Sequence, residues 1–187
     1  MKNNKTKKIV FTAVFAALCC IATYLIVIPI PYGVGYVNFG DVFVLAAAWC
    51  LGGYGALAGI GCALADVLSG YAVYAPATAV IKVGMALIGY YLYVACKKVM
   101  KKEAIDFIPR LIAAIVAELF MAIGYFLFEW AFYGFAAAAT GIPFNILQGG
   151  CCAVCAVALF GALYYAKPVR NFFPALKGGK KDKNAKE

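Results

Sequence analysis

Apolar residues run along this chain in long blocks, and polar residues interrupt them at only a few places. Six blocks read as helices: residues 8–28, 39–51, 54–69, 77–96, 110–133 and 143–166. The first is closed by Pro29 and Pro31, and Pro143 opens the last at its first turn. Most of these blocks are long enough to cross a bilayer as a helix. The second and third are short, and only Gly52 and Gly53 part them. The pattern predicts an all-α, polytopic membrane protein with six transmembrane helices and one compact unit. Residues 1–7 form a basic N-terminal segment, 8–166 the membrane domain, and 167–187 a basic tail expected to be disordered.

Composition supports this and rules out a soluble domain. Hydrophobic residues make up 66% of the 187 and charged residues only 13%, far from the average of soluble chains. The first apolar block is too long for a signal-peptide core and lacks a small-residue cleavage pattern. The net charge of +9 could suggest nucleic acid, but the bases are segregated. Of 17, all but Lys82 lie before or at the start of the first block, around the loop near residues 97–110, or in the tail. The positive-inside rule then puts these three segments, and so both termini, in the cytoplasm. No nucleic-acid partner is implied; the basic tail is expected to lie near anionic headgroups of the membrane lipid.

Parity bears on the short pair. The basic N-terminus and the basic loop must share a side, so an even number of crossings separates them. Four crossings satisfy this, and so do two with a re-entrant pair; fusing the short helices into one does not. The outer loops are then residues 29–38, 70–76 and 134–142, and none contains Lys or Arg.

Against this background, ionisable residues inside the blocks need a reason, since each costs at least ~2.5–3.5 kcal/mol on insertion scales. They are Asp41, Asp66, Lys82, Glu118 and Glu129. Asp66 and Lys82 flank one outer loop at similar depth and can meet. Such a pair could pin two helices or face a ligand beneath the aromatic loop that carries Tyr71 and Tyr74, which could equally form an interfacial belt. Asn38 can cap the second helix, with Asp41 in its first turn. Glu118, Tyr125 and Glu129 share one face of the fifth helix. Asn145 and Gln148 share a stripe of the sixth, continued by Cys152 and Cys155. They offer neutral donors and acceptors for a heterocycle edge, or helix–helix hydrogen bonds. Together these residues sketch a polar small-molecule site opening outward. Four acids against one lysine favour a neutral polyhydroxyl or cationic ligand over a dianion, unless the acids are protonated.

Two small-residue seams stand apart: Ala13 with Ala17, and Gly55 with Gly59. The first can face a partner helix, and the second is expected to pack internally. Neither metal nor cofactor is expected. The chain has no His, and its one CxxC, Cys152 and Cys155, lies in an apolar helix. The eight cysteines read as packing residues. There is no P-loop, no Ser/His/Asp set and no H-E-x-x-H, so an enzyme is not expected.

The string YVNFGDVFVLAAAWCLGGYGALAGIGCALADVLSGYAVYAPATAVIK (36–82) resembles the S component of energy-coupling factor (ECF) transporters, closest to the group whose family name refers to riboflavin. AELFMAIGYFLFE (117–129) and GIPFNILQG (141–149) resemble the same family, so the likeness covers about residues 7–165. It implies a substrate-capture subunit for a vitamin or related micronutrient in a prokaryotic cell membrane. It also implies a transmembrane coupling protein and two ABC-type ATPases as partners. Ala13 and Ala17 would face the coupling protein, loop 29–38 would act as a gate, and ATP hydrolysis would topple the loaded subunit. The family does not fix the substrate. Riboflavin, pyridoxine-like vitamins, hydroxymethylpyrimidine and a cationic queuosine precursor all remain open. The competing readings are a proton-coupled secondary carrier using Asp66, Glu118 or Glu129, an intramembrane enzyme, and a purely structural protein.

Overall fold

A computed structural model describes residues 3–30, 35–100 and 106–166. The basic tail, and with it part of the charge argument, lies outside the described residues. The elements are α1 (Asn3–Leu25), β1 (Ile28–Pro29), β2 (Tyr36–Val37), α2 (Gly40–Leu51), a 3-10 segment (Gly52–Gly59), α3 (Ile60–Leu68), α4 (Ala75–Met100), α5 (Phe107–Tyr133) and α6 (Phe135–Tyr165). Among the described residues, five helical stretches are long and apolar enough to cross a membrane: Lys5–Leu25, Gly40–Leu68, Ala75–Met100, Phe107–Tyr133 and Phe135–Tyr165.

The second stretch is not straight. Its 29 residues would extend about 40 Å as one rod. Yet Tyr36, just before α2, donates its hydroxyl hydrogen bond to Asp66, near the end of α3. The chain therefore runs down α2 and back up α3. The reversal starts at Gly52, whose φ of +66° favours glycine. Gly55 then lies against the backbone of Ala47, and Gly59 against that of Lys82, so a side chain at either would collide. The Gly55–Gly59 seam is thus internal. Ala13 and Ala17 on α1 are exposed.

Around this hairpin, α1 packs on α2, the 3-10 segment and α3, while α5 packs between α4 and α6. Contacts of α2 with α4 and α6 join the two sets. Large apolar side chains such as Val10, Leu25, Val80, Leu127 and Leu147 point outward, while a dozen polar or charged side chains are buried. This distribution suits a chain solvated by lipid, where the polar groups must find partners inside.

Several expected boundaries move. Helix α1 ends at Leu25, because residues 28–29 pair with 36–37 in a small antiparallel ribbon, Ile28 opposite Val37 and Pro29 opposite Tyr36. The fold is therefore helical with a two-stranded ribbon, not purely α. Helix α6 begins at Phe135, one residue past the left-handed Gly134, so the expected outer loop 134–142 is helical. Pro143 then lies inside α6 rather than at its start. Membrane helices tolerate such an internal proline better than helices in water do.

Candidate functional site: a polar cleft over a buried ion pair

A small cleft of about 20 Å³, partly open, lies where β2, the loop after α3 and the near ends of α4, α5 and α6 converge. The basic ends of α1 and α4 lie at the far end of the bundle. There Lys8 sits 5.1 Å from the centre of the Tyr54 ring, and Thr12 donates to the Tyr54 carbonyl at 3.2 Å.

Of the residues singled out from sequence, Asn38, Asp66, Tyr74, Tyr125, Glu129, Asn145 and Gln148 line this cleft. Asp41, Lys82 and Glu118 lie deeper, and Tyr71 stands behind the wall. The expected pairing of Asp66 with Lys82 is not formed. Lys82 instead pairs with Asp41, and both are fully buried. The other Asp41 oxygen accepts from Gln148 Nε2 at 2.6 Å, and Gln148 Oε1 accepts from the Asn38 backbone N–H at 2.9 Å. Asn38 Oδ1 accepts from the Gly40 N–H at 3.0 Å, and Cys152 Sγ lies 3.7 Å from the Asn38 carbonyl. Asn38 therefore does support the start of α2, but Asp41 serves α4 and α6 rather than its own helix end. This network welds α2, α4 and α6 beneath the cleft.

Asp66 takes the Tyr36 hydroxyl instead. Burial, helped by the Asp66 carboxylate, pushes that hydroxyl well above its ordinary pKa, so Tyr36 remains a donor. Tyr36 leans on Tyr71 at 4.6 Å between ring centres, Tyr71 on Tyr74 at 6.1 Å, and Tyr74 on Phe128 at 5.1 Å. The aromatic loop is thus a wall of packed rings, with Tyr74 buried. Thr78 and Tyr125 share a hydroxyl hydrogen bond at 3.0 Å, and Lys82 Nζ lies 5.3 Å from the Tyr125 ring centre.

Glu118 and Glu129, on one face of α5 as their spacing requires, are both buried. Among the described residues, neither Glu118 oxygen has a hydrogen-bond partner, and Glu129 Oε2 and Asp66 Oδ2 have none either. Glycines make room for both glutamates. A β-carbon at Gly141 would stand 2.8 Å from Glu129 Oε2, and one at Gly149 would stand 2.9 Å from Glu118 Cβ. Asp41, Glu118 and Cys152 bring their donor atoms within 4.8 Å of one another, but both Asp41 oxygens are already bonded. That leaves a cation Glu118, and Cys152 only if its thiol gives up the Asn38 carbonyl, beside an ammonium, which is a poor metal site.

Sequence reasoning missed Ile30, Gly35, Tyr36 and Thr78 as lining residues. Tyr36 lies in the very string that carries the family likeness, two residues before Asn38. Gly35 was hidden because its left-handed φ of +68° and its approach to Glu129 are tertiary facts.

Comparisons with known proteins agree with this architecture. The family described as ECF-type riboflavin transporter, S component, matches residues 3–165. The chain belongs to that family. The S-component chain is also 30% identical over 148 residues to an uncharacterized protein of Pyrococcus woesei, covering 78% of this chain and 90% of that one. Its fold is similar to a solved S component of a bacterial ECF transporter, with a TM-score of 0.67 at 21% identity, covering 86% of this chain and 96% of the other. It is accordingly a membrane-embedded, substrate-binding subunit of the ECF type. Its family is one of transporter components, not of enzymes.

Proposed function

We propose that this S component captures a vitamin or related micronutrient, of the riboflavin, pyridoxine-like or hydroxymethylpyrimidine-like kind, from outside a prokaryotic cell. Partner subunits, a transmembrane coupling protein and two ABC-type ATPases, then drive uptake with ATP. The observation that carries this reading is the polar cleft at the end of the bundle opposite the basic ends of α1 and α4. With the basic end in the cytoplasm, the cleft faces outward. The fold-back at Gly52 supplies the even parity that this orientation needs. On this reading the chain makes six crossings, with both termini cytoplasmic, in a multi-pass protein of the cell membrane. Ile30, Gly35 and Tyr36 line the cleft from the first outer connection, which fits the gating part expected of it.

Exposed Ala13 and Ala17 fit a close helix contact with the coupling protein. Two experiments test the reading. Native mass spectrometry of the chain purified alone should find a bound small molecule of vitamin size. Ala13→Leu together with Ala17→Leu should abolish partner-dependent uptake while leaving that bound mass in place. Uptake by this chain alone, driven by an ion gradient, would instead support a self-sufficient carrier.

A further inference from the structure

The cleft is lined by acids and not by bases. Among the residues that line it, two are ionisable carboxyls, Asp66 and Glu129, and none is Lys or Arg. Both acids are at least 97% buried. Asp66 satisfies one oxygen with Tyr36 and leaves Oδ2 without a partner. Glu129 Oε2 also has none among the described residues, and a β-carbon at Gly35 or Gly141 would stand 3.1 or 2.8 Å from one of its oxygens. A glycine at each place leaves Glu129 a slot, whose nearest polar neighbours are the Tyr74 hydroxyl, itself without a hydrogen bond among the described residues, and the Asn145 amide. Asn145 lines the same cleft, and its side chain makes no hydrogen bond to any described residue.

The nearest cation cannot neutralise these acids. Lys82 lies beneath Tyr125 and is committed to Asp41. Gln148 is likewise committed, through its oxygen to Asn38 and its nitrogen to Asp41. A buried carboxyl oxygen without a donor carries its full desolvation cost, so a ligand that brings a donor gains by meeting it. A phosphate or carboxylate ligand would add like charge to a site with no free cation. A neutral ring without donors on its rim would leave both acids unsatisfied.

We infer that the ligand of this cleft carries a positively charged nitrogen, a protonated amine or amidine-type group, received by Glu129 and Asp66 while Asn145 reads a neighbouring polar edge. This rests on the capture reading above and narrows its substrate class. A charge-assisted N–H hydrogen bond to a carboxylate in a dry site is among the stronger polar contacts available.

The test uses the full chain purified from membranes of cells that make it. The small molecule it retains is released by denaturation, weighed, and run by electrophoresis at pH 7. It should migrate as a cation. Glu129→Gln, which keeps the shape and removes the charge, should retain at least tenfold less while melting within a few degrees of the parent. Should that variant fail to fold, Asp66→Asn is read in the same way. A retained molecule that is neutral or anionic at pH 7 overturns this inference and leaves capture standing, as does equal retention by the folded charge-neutral variant. A parent chain that retains nothing, and is not stabilised by pyridoxamine, pyridoxine or riboflavin, removes the capture reading and this inference together.

Discussion

Two buried cations sit at opposite ends of this protein, and they are held in different ways. At the cleft end Lys82 meets a carboxylate directly, and that carboxylate is completed by Gln148. At the basic end Arg110 is as deeply buried, but two of its nitrogens, Nε and Nη1, have no hydrogen bond among the described residues. Its guanidinium carbon lies 3.5 Å from the Phe160 ring centre and 3.9 Å from that of Tyr93, with Trp49 at 5.4 Å. Nη2 reaches the Tyr93 hydroxyl at 2.7 Å and Asp106 at 3.1 Å. A flat, weakly hydrated cation can be satisfied by ring faces. A carboxylate has no such substitute, since a ring face repels it. An arginine short of hydrogen bonds in an aromatic cage is therefore a finished structural element, whereas Glu129 short of a donor beside a cleft is an unfinished one.

The largest effect should come from breaking the directly paired cation. Lys82→Met leaves Asp41 charged and unpaired in the interior, at a cost of about 3–5 kcal/mol. A thermal melt in detergent should show a drop of many degrees, and adding Asp41→Leu should recover much of it. If the single variant melts like the parent, the pair is not what welds α2 to α4.

Arg110→Met should cost less, about 2 kcal/mol, because it removes cation–ring contacts but strands no buried charge. Asp106 is 35% exposed and keeps Lys97 at 2.8 Å. A loss equal to that of Lys82→Met would erase the distinction between the two ends.

A third comparison sets two acids of the same cluster against each other. Glu118→Gln should leave the melting temperature within the equivalent of about 1 kcal/mol, since neither oxygen is engaged. Asp41→Asn should lower it clearly, since both oxygens are engaged. The reverse order would mean that Glu118 holds a partner other than the described side chains.

How much of this could be read from the sequence depends on range. The apolar blocks, the polar face of α5 and the stripe of Asn145 and Gln148 are periodic, local facts, and the folded chain keeps them. The helix hairpin was legible only through charge parity, because Gly52 and Gly53 allow either a bend or a straight run. Partner choice was not legible at all. Depth along the helices allowed Asp66 to meet Lys82, but depth says nothing about rotation about each axis. Rotation turns Asp41 toward α4 and Asp66 toward the ribbon. The ribbon itself rests on two residue pairs around a proline, too short for alternation to betray. The start of α6 was misplaced because Pro143 is a good first-turn residue in water, and the lipid-facing helix carries it internally.

The smallest effect belongs to the basic end and depends on pH. Burial raises the Asp106 carboxyl, but the hydrogen bond and charge of Lys97, with the charge of Arg110, outweigh it and hold the group below its usual 3.8. A carboxyl depressed on folding stabilises the folded state above its unfolded pKa, and that contribution fades as pH falls through the lower, folded value. The melting temperature of the parent should therefore exceed that of Asp106→Asn by a constant margin above pH 5. The margin should shrink as pH is lowered below about 4, where the unfolded chain begins to take up the proton first. The margin should be modest, because partial exposure screens the pair. Wild-type Asp66 and Glu129 contribute equally to both proteins, so the difference isolates Asp106 from the cleft. A margin that is unchanged at pH 3 would place the worth of Asp106 in its shape rather than its charge. The basic end would then owe its stability to the rings around Arg110 alone.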